Sequence, residues 1–241
     1  MPPRLHVGRP LPSAGGNVEL DAGAARHAQV LRLQPGDALT LFDGTGGEWS
    51  ARVAAIGRRE VRAELVEHRA VERELAVAVT LAVGMPANER MDALVEKATE
   101  LGAAAIQPLV TERSVLRLAG ERAERKRAHW QAIAVAACEQ CGRNRVPAVA
   151  PVRVLHDWLA DDGVQRAAAR LLLSTGDAPA FTAASLRGAP ALLLLSGPEG
   201  GFSDAERDSA AARGWQPASL GARVLRADTA PLAALARLGL S

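Results

Sequence analysis

The stretch Leu192–Glu206 reads L-L-L-L-S-G-P-E-G-G-F-S-D-A-E. Its four leucines make a short apolar run suited to a strand buried on both faces. Ser203, with Glu206 three positions on, is a capping box, so a helix is expected to start there. Gly197, Gly200 and Gly201 therefore lie where a sheet hands the chain to a helix N-terminus, the usual place for a small ligand in an α/β protein. Glycine permits positive φ at such a point and lets a ligand approach bare backbone. A tight βα turn would explain one such loop equally well.

A second loop weighs against that plain explanation. Ser219–Pro231 reads S-L-G-A-R-V-L-R-A-D-T-A-P. It leaves a short apolar segment, turns at Gly221 and enters an apolar C-terminal helix through Asp228 or Thr229, either a good N-cap. Pro231 is tolerated in the first turn because the N–H it lacks has no helical partner there. Two such loops, at the same end of neighbouring strands, are expected to form two walls of one pocket. The first lacks the Lys-Ser/Thr pair of a P-loop, and the chain has no G-x-G-x-x-G. The pocket should hold something other than a nucleoside triphosphate.

The 241 residues suffice for one large domain or two smaller ones with their own cores. A hydrophobic content of 48% and a charged content of 23% are ordinary for a soluble globular protein. The net charge of +2 does not argue for nucleic acid by itself. Between Arg113 and Arg145, however, eight Lys or Arg face three Glu, an excess suited either to phosphates or to a solvated helix face. Only two lysines stand among the 29 basic residues; arginine suits bidentate phosphate contacts, but a GC-rich genome is the simpler explanation. Cys138 and Cys141 form a C-x-x-C at the end of an apolar helical run, two ligands where structural zinc takes four, so a reduced structural pair and no metal are expected. No signal segment and no apolar run near ~18 residues is present, which points to the cytoplasm and away from a membrane.

Residues 1–70 read as β-rich. Leu39–Phe42 and Trp49–Val53 flank the hairpin connection Asp43–Gly47, Pro35–Asp37 is a turn, and Val61–Val66 opens with strand alternation. Short strands with Gly-rich turns suggest a small barrel, and the charged Glu67–Glu74 looks like a linker. From Leu75 the pattern becomes alternating strands and helices. Leu75–Val83 reads as a strand, Asn88 as the cap of a helix that stops at Gly102, Ala104–Val110 as a strand and Glu121–Gln140 as a long helix. Leu171–Leu173 and Ala191–Leu195 are further strands. This alternation implies a parallel sheet covered on both faces.

G-P-E-G-G at Gly197–Gly201 and L-G-A-R-V-L-R-A-D-T-A at Leu220–Ala230 closely resemble the two cofactor loops of the bacterial 16S rRNA uracil-N3 methyltransferases, of the knotted (SPOUT) class of S-adenosylmethionine enzymes. K-A-T-E-L-G-A at Lys97–Ala103, A-C-E-Q-C-G-R-N-R-V-P at Ala137–Pro147 and H-A-Q-V-L-R-L-Q-P-G-D at His27–Asp37 resemble further blocks of that family. The resemblance implies an α/β fold: a SPOUT-type parallel sheet with a C-terminal trefoil knot over 75–241, preceded by a PUA-like β-barrel over 1–70 that helps grip RNA. It implies S-adenosyl-L-methionine as cofactor, 16S rRNA of the 30S subunit as partner, a homodimer, and methylation of N3 of a uridine.

Under that resemblance, backbone groups around Leu195, Gly197, Gly200, Gly201, Leu220, Gly221, Leu225, Thr229 and Ala230 hold the cofactor, with Leu195, Val224 and Leu225 as apolar walls for its adenine. Arg226 is the candidate for stabilising negative charge on the uracil or for binding its phosphate; a surface ion pair with Asp228 is the alternative. Asp228 either accepts the N3 proton or caps the last helix. Family members more often carry Thr-Glu where this chain has Ala227-Asp228. Glu199 is the other candidate catalytic carboxylate, unless its charge near a helix N-terminus is structural. For RNA the candidates are Arg113, the polar cluster Arg143, Asn144 and Arg145, and on the barrel side Arg4, His27 and Arg32. With no Tyr and three Phe, recognition should rest on phosphate and shape rather than on stacking. Two other readings stay open: a non-catalytic ribosome-assembly factor, and a tRNA ribose methyltransferase of the same knotted class.

Overall fold

The computed structural model describes residues 2–58, 60–165, 169–186 and 188–239. The chain divides into two compact units, one made of Met1–Arg73 with Val135–Val146, the other of Glu74–Ala134 with Pro147–Ser241.

The first unit carries β1 (Arg4–His6), β2 (Gly16–Glu19), α1 (Ala22–Val30), β3 (Ala38–Phe42), β4 (Glu48–Ile56) and β5 (Val61–Arg69). They form a mixed sheet in the order β1-β3-β4-β5-β2, parallel only between β1 and β3. Val61, Ala63 and Leu65 of β5 are buried while Arg62, Glu64 and Val66 between them are exposed, the pattern of a sheet with one face on a core. The β3–β4 turn takes Gly44, Gly46 and Gly47 through positive φ, and the Asp43 carboxylate accepts from both the N–H and the hydroxyl of Thr45.

Two expectations for this unit need correction. Helix α1 stands where only strands and turns were read; Asp21 caps it by accepting from Gly23 and Ala24 N–H, and it buries Ala24, Ala25 and Ala28. A helix whose packing face is all alanine carries almost none of the bulky periodicity that marks amphipathic segments. The linker also begins later than Glu67, because β5 continues to Arg69, pairing Glu67, His68 and Arg69 with Ser50, Trp49 and Glu48.

The second unit runs β6 (Ala78–Gly84), α2 (Asn88–Glu100), β7 (Ala105–Val110), α3 (Gly120–Cys141), β8 (Ala148–Val149), β9 (Arg153–Val154), α4 (Leu155–Leu159), α5 (Asp162–Gln165), β10 (Ala169–Leu173), β11 (Ala191–Ser196), α6 (Asp204–Ala212), β12 (Gln216–Ala218) and α7 (Thr229–Gly239). The last residues of α3 count with the first unit. Among the described residues every pairing is parallel, in the order β12-β10-β11-β6-β7-β8, with β9 also on β7. The central strands are apolar toward both faces: Val79, Leu81, Ala82 and Val83 in β6, and Leu192, Leu194 and Leu195 in β11, are buried. Trp158 and Trp215 pack 5.7 Å apart, centroid to centroid, in the core under α4 and α6.

Here too the details differ from the expectation. The strand expected from Leu75 begins at Ala78. Helix α2 has Ala87, not Asn88, in its cap position, with no side-chain cap of its own. The strands leading into the two glycine loops are not neighbours, because β10 lies between β11 and β12. Strand order is set by long-range pairing, which local sequence does not encode. No helix among the described residues is long and apolar enough to cross a membrane.

Candidate functional site

The first glycine loop leaves β11 at Ser196 and is tightly folded. A Cβ on Gly197 would sit 3.3 Å from the backbone of Gly201, and Gly201, at φ +66°, donates its N–H to Pro198 O at 2.8 Å. Gly84, at the end of β6, leaves room for the loop: a Cβ there would lie 2.5 Å from Pro198 Cδ. The capping box closes the loop onto α6, with Glu206 Oε2 accepting from Ser203 N at 2.9 Å and Ser203 Oγ from Glu206 N at 3.3 Å.

The second loop leaves β12 at Ser219, whose hydroxyl accepts from Gly221 N at 3.2 Å, and Gly221 takes φ +109°. It returns to start α7, where Ala230 N donates to Arg226 O at 3.0 Å and Asp228 Oδ1 accepts from Thr229 N at 3.1 Å. Helix α7 packs against α2 and β11, with Pro231, Ala234 and Leu235 buried.

The two loops line one cavity of about 510 Å3. Gly197, Glu199, Gly200 and Gly201 contribute from the first, and Leu220, Gly221, Val224, Leu225, Arg226 and Ala230 from the second. Of the candidate residues, Leu195, Asp228 and Thr229 are not part of the wall. Leu195 is fully buried in the sheet one residue short of the cavity, and Asp228 and Thr229 sit at the start of α7. Sequence reasoning missed the segment Leu172–Thr175 at the end of β10, which enters the wall because that strand lies between the other two. It also missed Arg90, Arg207 and Arg223.

The charges of the cavity sort into held and free. Glu199 Oε1 accepts from Ala87 N at 3.2 Å and lies 3.6 Å from Arg90 Nη1, so this carboxylate serves the start of α2. Arg207 donates to Phe202 O at 2.6 Å and pairs with Asp204. Arg223 and Arg226 are exposed and hold no side-chain partner among the described residues; the alternative pairing of Arg226 with Asp228 is absent. The wall thus combines bare glycine backbone, the hydroxyls of Ser174, Thr175 and Ser196, apolar Leu172, Leu173 and Leu225, and two free guanidiniums. Such a wall can take a flat apolar ring, a polyol and an anionic group together.

The expected RNA-facing cluster is largely internal. Arg143 is 3% and Asn144 0% exposed, and Asn144 Nδ2 donates to Val71 O at 2.7 Å. Arg4 is drawn inward by Glu48, with Nη1 donating to Glu48 Oε2 at 2.6 Å and Nη2 to Asn144 Oδ1 at 2.6 Å. These three side chains are therefore corrected from surface contacts to internal partners. Arg145 is exposed and paired with Glu72, His27 is 3.2 Å from Glu139, and Arg32 is exposed at φ +55°. Arg113 is exposed, and its Nη1 donates to Gly200 O at 3.1 Å. Cys138 is buried and Cys141 half-buried, and neither forms a disulfide.

The family described as RNA methyltransferase domain matches residues 73–239, and the RNA methyltransferase PUA domain matches residues 20–66. The chain is 38% identical to ribosomal RNA small subunit methyltransferase E of Synechocystis sp. over 87% of its own length and 68% of the relative's. It is 33% identical to the protein of that name from Bacillus subtilis, over 87% and 84%. Among solved structures, a ribosomal RNA small subunit methyltransferase E from Neisseria gonorrhoeae bound to S-adenosyl methionine superposes with a TM-score of 0.88 at 37% identity, covering 98% of this chain and 96% of that one. A putative methyltransferase from Legionella pneumophila in complex with the same cofactor gives 0.90 at 33% identity, covering 100% and 98%.

Proposed function

We propose, since this chain belongs to the ribosomal RNA small subunit methyltransferase E family, that it transfers a methyl group from S-adenosyl methionine to N3 of a uridine in 16S rRNA of the small ribosomal subunit. The observation that carries this reading is the meeting of the two glycine loops in one cavity of about 510 Å3.

The residues present fit the cofactor. Bare backbone at Gly197, Gly200, Gly201 and Gly221 admits close approach of a nucleoside, and Leu172, Leu173 and Leu225 offer apolar walls for its base. Ser174, Thr175 and Ser196 supply hydroxyls for its ribose. When bound, the cofactor supplies an activated methyl group on a sulfonium centre. The protein's share is then to align the uracil and to manage charge. A uracil N3–H is a weak acid, so attack by N3 requires the developing anion to be stabilised. Arg226, unpaired on the cavity wall, fits that task, and Arg223 nearby in the chain fits a phosphate of the bound strand. The first unit, with Arg32 exposed, takes the role of an RNA grip, and the same reading has the enzyme act as a homodimer. The return of the chain from edge strand β12 to a wall shared with the loop after β11 supports a knotted C-terminus.

Purified protein with labelled S-adenosyl methionine, offered small subunits, free 16S rRNA and tRNA in turn, tests the assignment. Digestion and mass analysis should find N3-methyluridine from the small subunit; methyl transfer to tRNA ribose would overturn it. Arg226→Ala should lower kcat by about 100-fold and leave cofactor affinity nearly unchanged.

A further inference from the structure

The first glycine loop is held in shape by side chains at its two flanks. On one flank, Arg113 Nη1 donates to Gly200 O at 3.1 Å. Arg113 is itself fixed, because the residue before it, Glu112, donates its N–H to Glu206 Oε1 at 2.8 Å. Arg117 Nη2 donates to Glu112 O at 2.7 Å, and Ser114 Oγ accepts from Thr111 N at 3.0 Å. The other oxygen of Glu206 closes the capping box of the helix that the loop enters. Gly200, Arg113, Glu112, Glu206 and Ser203 thus make a closed circuit of bonds running back into the loop. On the other flank, Glu199 accepts the N–H of Ala87, the N-cap residue of α2, at 3.2 Å, the bond that an N3 carboxylate makes in a capping box.

We propose that Arg113 and Glu199 are positioning residues that brace the Gly197–Gly201 loop in its donor-binding shape from the β7–α3 and β6–α2 connections. This rests on the reading that the cavity takes S-adenosyl methionine. The physical need follows from the glycines. A loop with bare residues at Gly197, Gly200 and Gly201 has many conformers, and each one not suited to the ligand must be given up on binding. Bonds already made in the free protein remove that cost, which is preorganisation. Neither side chain then acts on substrate: the Glu199 carboxylate is committed to a helix start, and the Arg113 guanidinium to a carbonyl of the loop.

Calorimetric titration with S-adenosyl methionine, steady-state kinetics on small subunits and hydrogen exchange of the ligand-free protein test the brace in R113A, E199A and E199Q. Gln keeps an acceptor oxygen for Ala87 N–H, so E199Q should stay within about twofold of wild type in cofactor affinity and in kcat. R113A and E199A should each weaken cofactor affinity by about fivefold to tenfold, with kcat at saturating cofactor and RNA little changed. Both should speed amide exchange at Gly200–Phe202, and E199A also at the start of α2. A large loss of kcat in E199Q with unchanged affinity would make Glu199 a catalytic carboxylate and overturn the proposal. So would an R113A that raises only the KM for RNA. If the wild type lacked a saturable cofactor site, the function assigned above would fall. Exchange would still decide the brace, since unchanged rates in R113A and E199A overturn it.

Discussion

Gly200 shows how a single position combines site and scaffold. A Cβ built there would lie 3.0 Å from the Arg113 Cβ and 3.6 Å from the Arg113 carbonyl oxygen. A branched side chain must therefore push apart the loop and the segment that braces it, next to the cavity rather than in a core. Gly200→Val should abolish detectable cofactor binding in equilibrium dialysis while far-UV circular dichroism stays that of the wild type; unchanged affinity would remove this loop from the site. The glycines were legible in sequence because their chemistry is local: a strand, a bare turn and a capping box follow one another within Leu192–Glu206. Roles of the charged residues were less so. Glu199 reads as a candidate catalytic carboxylate, and its bond from Ala87 N–H, 112 positions away in sequence, leaves no trace in the local pattern. Arg223 reads as ordinary surface charge until the cavity wall includes it. A carboxylate or guanidinium has the same sequence signature whether it faces a ligand or a distant backbone group.

The alternation of apolar strands with capped helices is enough to indicate a parallel sheet, since parallel strands need crossovers and burial on both faces. It does not reveal that β10 separates β11 from β12, and so it omits Leu172–Thr175 from the cavity. Helix α6 is the element on which sequence and structure agree down to individual bonds, and it carries a graded prediction. Ser203→Ala removes one cap acceptor, released by Glu206 N, and should cost about 1 kcal/mol. Glu206→Ala releases two donors, Ser203 N and Glu112 N, and should cost about 2 kcal/mol, given the bonds of 2.9 and 2.8 Å. Urea unfolding followed by the fluorescence of buried Trp158 and Trp215 checks the order. Equal losses would mean that Glu206 does not anchor the 111–117 segment.

At the scale of the whole chain, the first unit is not a contiguous stretch, because Val135–Val146 completes it from far downstream. The reason is a buried polar cluster. Arg4 and Glu48 pair at 2.6 Å with side chains 8% and 5% exposed, Arg4 also reaches Arg143 O and Asn144 Oδ1, and Arg73 donates to Gly142 O at 2.7 Å. Partners more than 100 residues apart leave no local trace, which is why Arg4, Arg143 and Asn144 read as an RNA surface. Burial alone would raise the Glu48 carboxyl above its ordinary value of 4.5. The hydrogen bonds from Arg4 and Asn144, with the charges of Arg4 and Arg73, outweigh burial and hold the carboxyl below that value. A carboxyl lowered on folding adds stability that is complete above its unfolded pKa and is lost as pH falls through the folded one. The melting temperature should therefore drop on going from neutral pH to below 4.5, partly through Glu48. Glu48→Gln leaves Arg4 buried without its counter-charge and should cost about 3 kcal/mol at neutral pH. The same change should narrow, though not abolish, the melting difference between neutral and acid pH, because Asp21, Asp43, Asp92 and Asp161 are also lowered and keep their share. A variant with wild-type melting at neutral pH and an undiminished acid drop would show that the cluster does not hold the first unit together.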